Sequence, residues 1–409
     1  MTPDERLERY AELAVHVGAN LAPGQELEVG CLVEHAPLAR AIARAAYAAG
    51  ARHVDVHYVD QHVRHAMIEH ADDEILTWSP PWLVERLRDV GDGHGARILI
   101  IGDPEPELLS DLDPARVGRA RMHAVSEENL RQLNGRLANW SIVAYPNEGW
   151  ATAMFGEPDV ERLWKAVAYA VRLDEPDPVA AWNDHMDRLV TRAAGLNERR
   201  FVALRFRGPG TDLTVGLLPG SIWKGASFET VWGRRHIPNM PTEEVYTAPD
   251  YRRTEGIVRS TKPLGIGGTI VRDLELRFEG GRAVDVNASS GAAAIEAQLA
   301  SDPQAPYLGE VALVDGESRV GQTGLTFFET LFDENATCHI AYGAGIVQNV
   351  EGAEEWSNDE RLERGVNHAA IHTDFMIGGP EVSVDAVTRA GAVVPLLRAE
   401  AWQLPDRRT

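Results

Sequence analysis

The chain has 409 residues, of which 44% are hydrophobic and 25% charged, a composition typical of a globular protein with room for two domains. Its net charge of −22 argues against nucleic acid or an anionic membrane surface as a partner, because both attract clustered lysine and arginine. The two cysteines, Cys31 and Cys338, are distant in sequence, the N-terminus has no signal-peptide pattern, and no apolar run approaches ~20 residues. These features predict a cytoplasmic protein.

Helical and strand patterns alternate through the first half of the chain. The predicted helices lie at 5–17, 37–49, 81–94 and about 114–135, and the predicted strands at 26–31, 53–59, 97–101 and 141–145. Strands that alternate with helices form parallel βαβ units. The sequence therefore predicts an N-terminal α/β domain with an open, mostly parallel sheet.

An acidic, proline-containing segment at 173–178 separates this half from a second half with a different secondary-structure pattern. After a helix at 179–195, short alternating strands dominate, and the clearest later helix lies at 291–300. The strand patterns lie at 201–206, 213–217, 269–278, 283–286 and 309–314. We therefore predict domains at 1–178 and 179–409, the second an α+β domain with many short strands.

Two segments of the second half place acidic or histidine side chains in strands. Glu310 begins an apolar strand, and a carboxylate buried there must be paired or bind a metal. His372 and Asp374 project to the same face of a strand, because side chains alternate with a period of two, and they could chelate one cation. A hydrogen-bonded pair that only orients a core histidine explains the second pattern equally well.

Two further segments are weaker signals when each is taken alone. Glu243 and Glu244 lie between prolines, where an isolated acidic pair is more often a solvated turn. His339 lies in an apolar run, where a histidine is more often a satisfied core residue. Together the segments offer nitrogen and oxygen donors without sulfur, which suits a divalent metal. Three carboxylates among five ligands favour a pair of ions about 3.5–4 Å apart, an arrangement used in hydrolysis.

Three other segments carry a family resemblance. They read V-G-A-N-L-A-P-G-Q-E-L at 17–27, A-A-Y-A-A-G-A at 45–51 and N-W-S-I-V-A-Y-P-N-E-G-W-A at 139–151. With the donor segments, they make the chain similar to the aminopeptidase T-like family of thermophilic-type metallo-aminopeptidases. The resemblance implies five metal ligands, namely Glu244, Glu310, His339, His372 and Asp374.

The same resemblance implies what the protein does and with which cofactors. It implies an exopeptidase that removes N-terminal residues from small peptides through a metal-activated water. It also implies two divalent ions per chain, zinc, cobalt or manganese, and a homodimer. Glu310 is the first candidate for the general base, because it could lie between the two ions, and Glu243 is the second.

One position departs from the family pattern. Family members usually place a tyrosine seven residues after the histidine that corresponds to His339, and that position is Ile346 here. Tyr342 is the nearest substitute, since on a helix it would share a face with position 346. A retuned or weakly active member is therefore one alternative.

The other alternative keeps the fold and changes the chemistry. An Fe(II) ring-opening dioxygenase needs only two histidines and one carboxylate, which His339, His372 and Asp374 would supply. Retention of both Glu244 and Glu310 favours the dinuclear hydrolase instead.

Overall fold

The computed structural model describes residues 2–266 and 269–405, and the chain folds into two compact units. The first comprises Met1–Asp184 with Ser227–Pro241, and the second His185–Ala226 with Thr242–Thr409. The division into domains 1–178 and 179–409 stays a prediction, and the compact units differ from it because 227–241 groups with the first unit.

A four-stranded parallel sheet with strand order β2-β1-β3-β4 forms the centre of the first unit. Its strands are β1 (Glu26–Leu32), β2 (His53–Val59), β3 (Ala96–Ile101) and β4 (Asn139–Ala144). The helices are α1 (Pro3–Leu13), α2 (Ala36–Ala48), α3 (Gln61–His70), α4 (Pro81–Asp92), α5 (Pro114–Arg119), α6 (His123–Gly135), α7 (Glu148–Phe155) and α8 (Val160–Ala170), followed by α9 (Pro178–Arg199) at the division. Segment 227–241 adds two short antiparallel strands, β8 (Phe228–Glu229) and β9 (Arg235–His236).

The parallel sheet predicted for the N-terminal half is confirmed. Helix α1 begins two residues before the predicted start at residue 5, because the Thr2 side chain accepts a hydrogen bond from the Glu5 N–H in a capping box. The single helix predicted at about 114–135 is wrong, since α5 and α6 are separate helices. The chain breaks between them because Ala120 leaves the helical region, with ψ at 73°.

The second unit contains many short strands, as predicted for the C-terminal half, and they pair in antiparallel fashion. An eight-stranded sheet has the order β15-β14-β11-β6-β5-β19-β20-β21, a five-stranded sheet has the order β18-β17-β16-β10-β7, and β12 pairs with β13. The strands are β5 (Ala203–Gly208), β6 (Thr211–Leu217), β7 (Lys224–Gly225), β10 (Val245–Thr247), β11 (Pro249–Arg259), β12 (Leu264–Ile266), β13 (Thr269–Val271), β14 (Glu275–Glu279), β15 (Arg282–Asn287), β16 (Leu308–Leu313), β17 (His339–Gly343), β18 (His372–Met376), β19 (Ser383–Val387), β20 (Val393–Arg398) and β21 (Ala401–Trp402). The helices are α10 (Ala292–Ala300), α11 (Arg319–Gln322), α12 (Thr330–Glu334) and α13 (Asn358–Glu363).

The single strand predicted at 269–278 is two strands, β13 and β14. Asp273 lies between them with a positive φ of 51°, a conformation that ends a regular strand. Among the described residues, no helix combines the length and the apolar character that a membrane crossing needs.

One apolar core lies beneath the five-stranded sheet. Val311 of β16, Ile340 of β17 and Phe375 of β18 pair across the strands and are buried in this core. Because side chains alternate along a strand, the neighbours of these residues project from the opposite face. That opposite face carries the candidate metal ligands.

Candidate metal centre

Strand pairing brings four of the predicted ligands to one face of the five-stranded sheet. On β17, which lies between β16 and β18, Ala341 pairs with Glu310 of β16 on one side and with Asp374 of β18 on the other. Residues that lie directly opposite each other in antiparallel strands project to the same face. His339 and His372 each lie two positions from a member of this row, so they share its face.

A β-bulge decides the direction of Glu310. In β16, Leu308 pairs with Tyr342 but Glu310 pairs with Ala341, so Gly309 is the extra residue. Without the bulge, Glu310 would lie opposite Ile340 and would project into the apolar core. A Cβ atom on Gly309 would lie 2.2 Å from the carbonyl oxygen of Ala344, so only glycine fits there.

His339 is held so that one ring nitrogen faces carboxylates. Its Nδ1–H donates to the backbone carbonyl of Glu334 at 2.8 Å. Its Nε2 lies 2.9 Å from Glu244 Oε2 and 3.9 Å from Glu310 Oε1. A backbone carbonyl on one nitrogen and carboxylates near the other is the usual surrounding of a metal-binding histidine.

His372 has the same arrangement. Its Nδ1–H donates to the carbonyl of Ala344 at 2.8 Å. Its Nε2 lies 3.2 Å from Glu310 Oε2 and 3.5 Å from Asp374 Oδ2. The side chain of His372 is 31% exposed, whereas that of His339 is 1% exposed, so a substrate reaches the site more easily beside His372.

The donor atoms form two groups that could each hold a metal ion. In each group they lie within 4.8 Å of one another. One group consists of Glu244, Glu310 and His339, and the other of Glu310, His372 and Asp374. Glu310 belongs to both, with one oxygen facing each histidine.

The charge balance of these groups fits divalent cations. Burial and the carboxylates of Glu244 and Asp374 raise the pKa of Glu310 to about 7. Burial acts against a charged His339, but the carboxylates, with Glu244 first, raise the pKa of this histidine to about 10. The cluster thus attracts positive charge, and metal ions displace protons from such donors.

One carboxylate oxygen points to the same conclusion. Glu244 Oε2 is buried, and His339 Nε2 lies 2.9 Å from it. A buried carboxylate is costly unless a proton donor or a cation satisfies it. The residues present therefore fit a metal ion.

Glu243, the second candidate for the base, is directed elsewhere. Its buried side chain lies 3.4 Å from His185 Nε2 and 3.8 Å from the Arg188 guanidinium. Adjacent residues of an extended segment project in opposite directions, so Glu243 points away when Glu244 points to the cluster. The structure does not bring Glu243 into either donor group.

Tyr342 also lies outside the cluster, because residues 339–343 form a strand and not a helix. Three positions along a strand reverse the face, so Tyr342 projects away from His339. Its hydroxyl donates to Gln298 Oε1 at 2.5 Å. Ile346 lies half-buried in the turn after β17.

Sequence reasoning did not identify three residues that shape the site. Gly309 forms the bulge, and Glu334 supplies the carbonyl that orients His339. The buried Asn335 accepts a hydrogen bond from the Glu243 N–H at 2.7 Å and donates to the Leu331 carbonyl at 2.8 Å. It thereby joins the Glu244 segment to α12. The polar run D-E-N inside apolar sequence was the available signal.

Known proteins resemble this chain along nearly its whole length. The family model described as thermophilic metalloprotease (M29) matches residues 3–402. "Aminopeptidase T" of Thermus aquaticus is 43% identical over 404 residues, covering 97% of this chain and 98% of that protein. "Aminopeptidase 2" of Geobacillus stearothermophilus is 38% identical over 405 residues, covering 98% of each.

A solved structure agrees with these relatives. "Wild-type AmpT from Thermus thermophilus" superposes with a TM-score of 0.90 at 40% identity, covering 98% of this chain and 100% of that one. The family predicted from the sequence is thereby confirmed. The chain belongs to the thermophilic metalloprotease (M29) family.

Proposed function

We propose that this protein is a metal-dependent aminopeptidase that removes N-terminal residues from small peptides with two divalent ions per chain. The observation that carries the proposal is the pair of donor groups that share Glu310 on one sheet face. The names of the relatives support an aminopeptidase. Neither the family nor the relatives favour the Fe(II) dioxygenase alternative.

The proposed ligands form two sites, one for each ion. Glu244 and His339 would hold the buried ion, His372 and Asp374 the more accessible one, and Glu310 both. When bound, such a pair polarises a carbonyl oxygen and lowers the pKa of water toward ~7. The mixed nitrogen and oxygen donors support zinc, cobalt or manganese.

Glu310 is the proposed general base. It is the carboxylate common to both donor groups, so it would lie beside the water that attacks the peptide bond. The histidines keep their orientation during the reaction, because backbone carbonyls fix their Nδ1–H groups. The acidic face would also pair with the free α-amino group of a substrate, which gives a reason for exopeptidase specificity.

The homodimer and the cytoplasmic location remain parts of this proposal. The family resemblance is the support for a homodimer, which analytical ultracentrifugation would test. Both cysteines, Cys31 and Cys338, are buried and free, which suits a reducing compartment.

Metal-loaded protein is expected to cleave leucine p-nitroanilide and dipeptides. Chelation should abolish the turnover, and zinc, cobalt or manganese should restore it, because the donor groups act through bound ions. N-acetylleucine p-nitroanilide is the control and should resist cleavage, since it lacks the free amine. A protein with two ions per chain that is inert toward every dipeptide contradicts the proposal. One iron per chain with oxygen uptake would establish the dioxygenase instead.

A second candidate, a retuned or weakly active member, rests on Ile346. The substitution Ile346→Tyr places a phenol in the turn after β17. If the missing hydroxyl limits hydrolysis, the variant should cleave leucine p-nitroanilide much faster than the wild-type protein. Ile346→Phe is the matched control, because it adds the ring without the hydroxyl. Equal rates in wild type and both variants would remove this candidate.

A further inference from the structure

A tyrosine shares the sheet face of the proposed ligands. Tyr246 of β10 pairs with Ala312 of β16, and Ala312 pairs with His339 of β17. The three side chains therefore project from the same face. The methyl group of Ala312 lies between the phenol and the imidazole in this row, and Tyr246 is 6% exposed.

Tyr246 is adjacent to two of the proposed ligands. Glu244 lies two positions before it, and Glu310 is its diagonal neighbour across the strands, a relation that separates residues by about 7–8 Å. A phenol carries one O–H donor, and the side chain of Tyr246 projects from the face of these ligands.

A lysine extends the row on the other side. Lys224 of β7 pairs with Tyr246, so this half-buried side chain begins on the same face. The row thus carries a phenol and a lysine side chain, both hydrogen-bond donors, on the face of ligands that are acceptors. Such donors have a use in peptide hydrolysis, because the carbonyl oxygen becomes negatively charged in the transition state.

The backbone at Tyr246 is firmly held. The side-chain amide of the buried Asn349 donates to the carbonyls of Tyr246 at 3.0 Å and Ile222 at 3.1 Å. The backbone N–H of Asn349 donates to the Ile346 carbonyl at 2.9 Å. A catalytic hydrogen bond needs this kind of support, since small displacements weaken it.

We propose that Tyr246 donates a hydrogen bond to the substrate oxygen that becomes negatively charged during hydrolysis, and that Lys224 adds positive charge beside it. This inference rests on the proposed aminopeptidase function. It assigns donors for the oxyanion to two residues of the row that contains His339, neither of them among the five proposed ligands.

Tyr246→Phe tests the proposal with Tyr342→Phe as the matched control. Both tyrosines are buried in the same sheet, but Tyr342 projects from the opposite face. On leucine p-nitroanilide, Tyr246→Phe should lower kcat by about 10²–10³-fold, the usual loss for one oxyanion donor, with little change in KM or metal content. Lys224→Met should show a smaller loss in kcat, and Tyr342→Phe should keep the wild-type value.

Calorimetry provides a readout that does not depend on turnover. The probe is 1-amino-3-methylbutylphosphonic acid, whose tetrahedral anionic group resembles the charged intermediate. The metal-loaded Tyr246→Phe protein should bind it more weakly by a factor similar to the loss in kcat, since analogues report transition-state interactions. Binding of leucine, the product, should change little.

Several results would overturn this inference. Equal losses in Tyr246→Phe and Tyr342→Phe would mean that the phenol only packs. Loss of metal from Tyr246→Phe would mean that Tyr246 supports the metal ligands instead of binding the substrate. If kcat fell for dipeptides but not for the p-nitroanilide, which has no carboxylate, Tyr246 and Lys224 would bind the C-terminal carboxylate of the substrate. If loaded wild-type protein cleaves nothing, the proposed function fails, and the phosphonate measurement still decides whether Tyr246 binds the anion.

Discussion

Replacing Glu310 with glutamine is expected to remove both metal ions and nearly all activity. Glutamine keeps the shape of the side chain but loses the negative charge, and Glu310 is the residue that the two donor groups share. Removing a residue that only orients a metal ligand lowers activity by up to about 100-fold. Because Glu310 is itself a proposed ligand, its loss should lower kcat/KM by more than that. Elemental analysis of dialysed protein and turnover of leucine p-nitroanilide measure the two effects.

Substitutions that affect one donor group show whether the loss of metal in Glu310→Gln is specific or results from general unfolding. Glu244→Gln and Asp374→Asn each affect one group, so each variant should retain one ion per chain. Glu296→Gln, on the exposed side of α10, should retain both ions and full activity. Two tightly held ions in Glu310→Gln would show that Glu310 is not the shared ligand.

Gly309→Ala is expected to damage the site without changing any ligand. The new Cβ would lie 2.2 Å from the Ala344 carbonyl oxygen, so the bulge in β16 must shift. Such overpacking destabilises a protein by about 1–3 kcal/mol. Because the bulge directs Glu310 to the ligand face, metal content should fall with stability. Urea denaturation and elemental analysis measure both.

A second strand glycine provides the control for Gly309. At Gly265 of β12, the nearest atom to an added Cβ is the Phe328 carbonyl oxygen at 3.6 Å, an ordinary contact. Gly265→Ala should therefore keep its metal and its urea midpoint. Wild-type stability and two ions in Gly309→Ala would mean that the bulge does not determine the direction of Glu310.

Part of this site follows from sequence periodicity alone. The two-residue spacing of His372 and Asp374 predicts a shared face, and β18 has that geometry. The direction of Glu310 does not follow, because all six residues of β16 are buried and no alternation marks a face. Its direction depends on pairing with β17 and on one extra residue at Gly309, which are relations between distant segments.

Glu243 and Tyr342 are two further residues whose direction cannot be predicted from the sequence alone. Glu243 and Glu244 are chemically identical neighbours, and tertiary contacts separate their roles, since Glu243 lies beside His185 of α9 and Glu244 beside His339. A helical period would place Tyr342 on the same face as position 346, but residues 339–343 pair as a strand, so the side chain projects to the face opposite His339.

The pairing of β10, β16, β17 and β18 also governs when the protein can acquire its ions. The donors come from positions 244 to 374 of a 409-residue chain, and no two of the four strands are close enough in sequence to form a preassembled pocket. The donors of the first group are all synthesised once β17 has been made, whereas the second group is complete only after β18 has been made and has paired with β17.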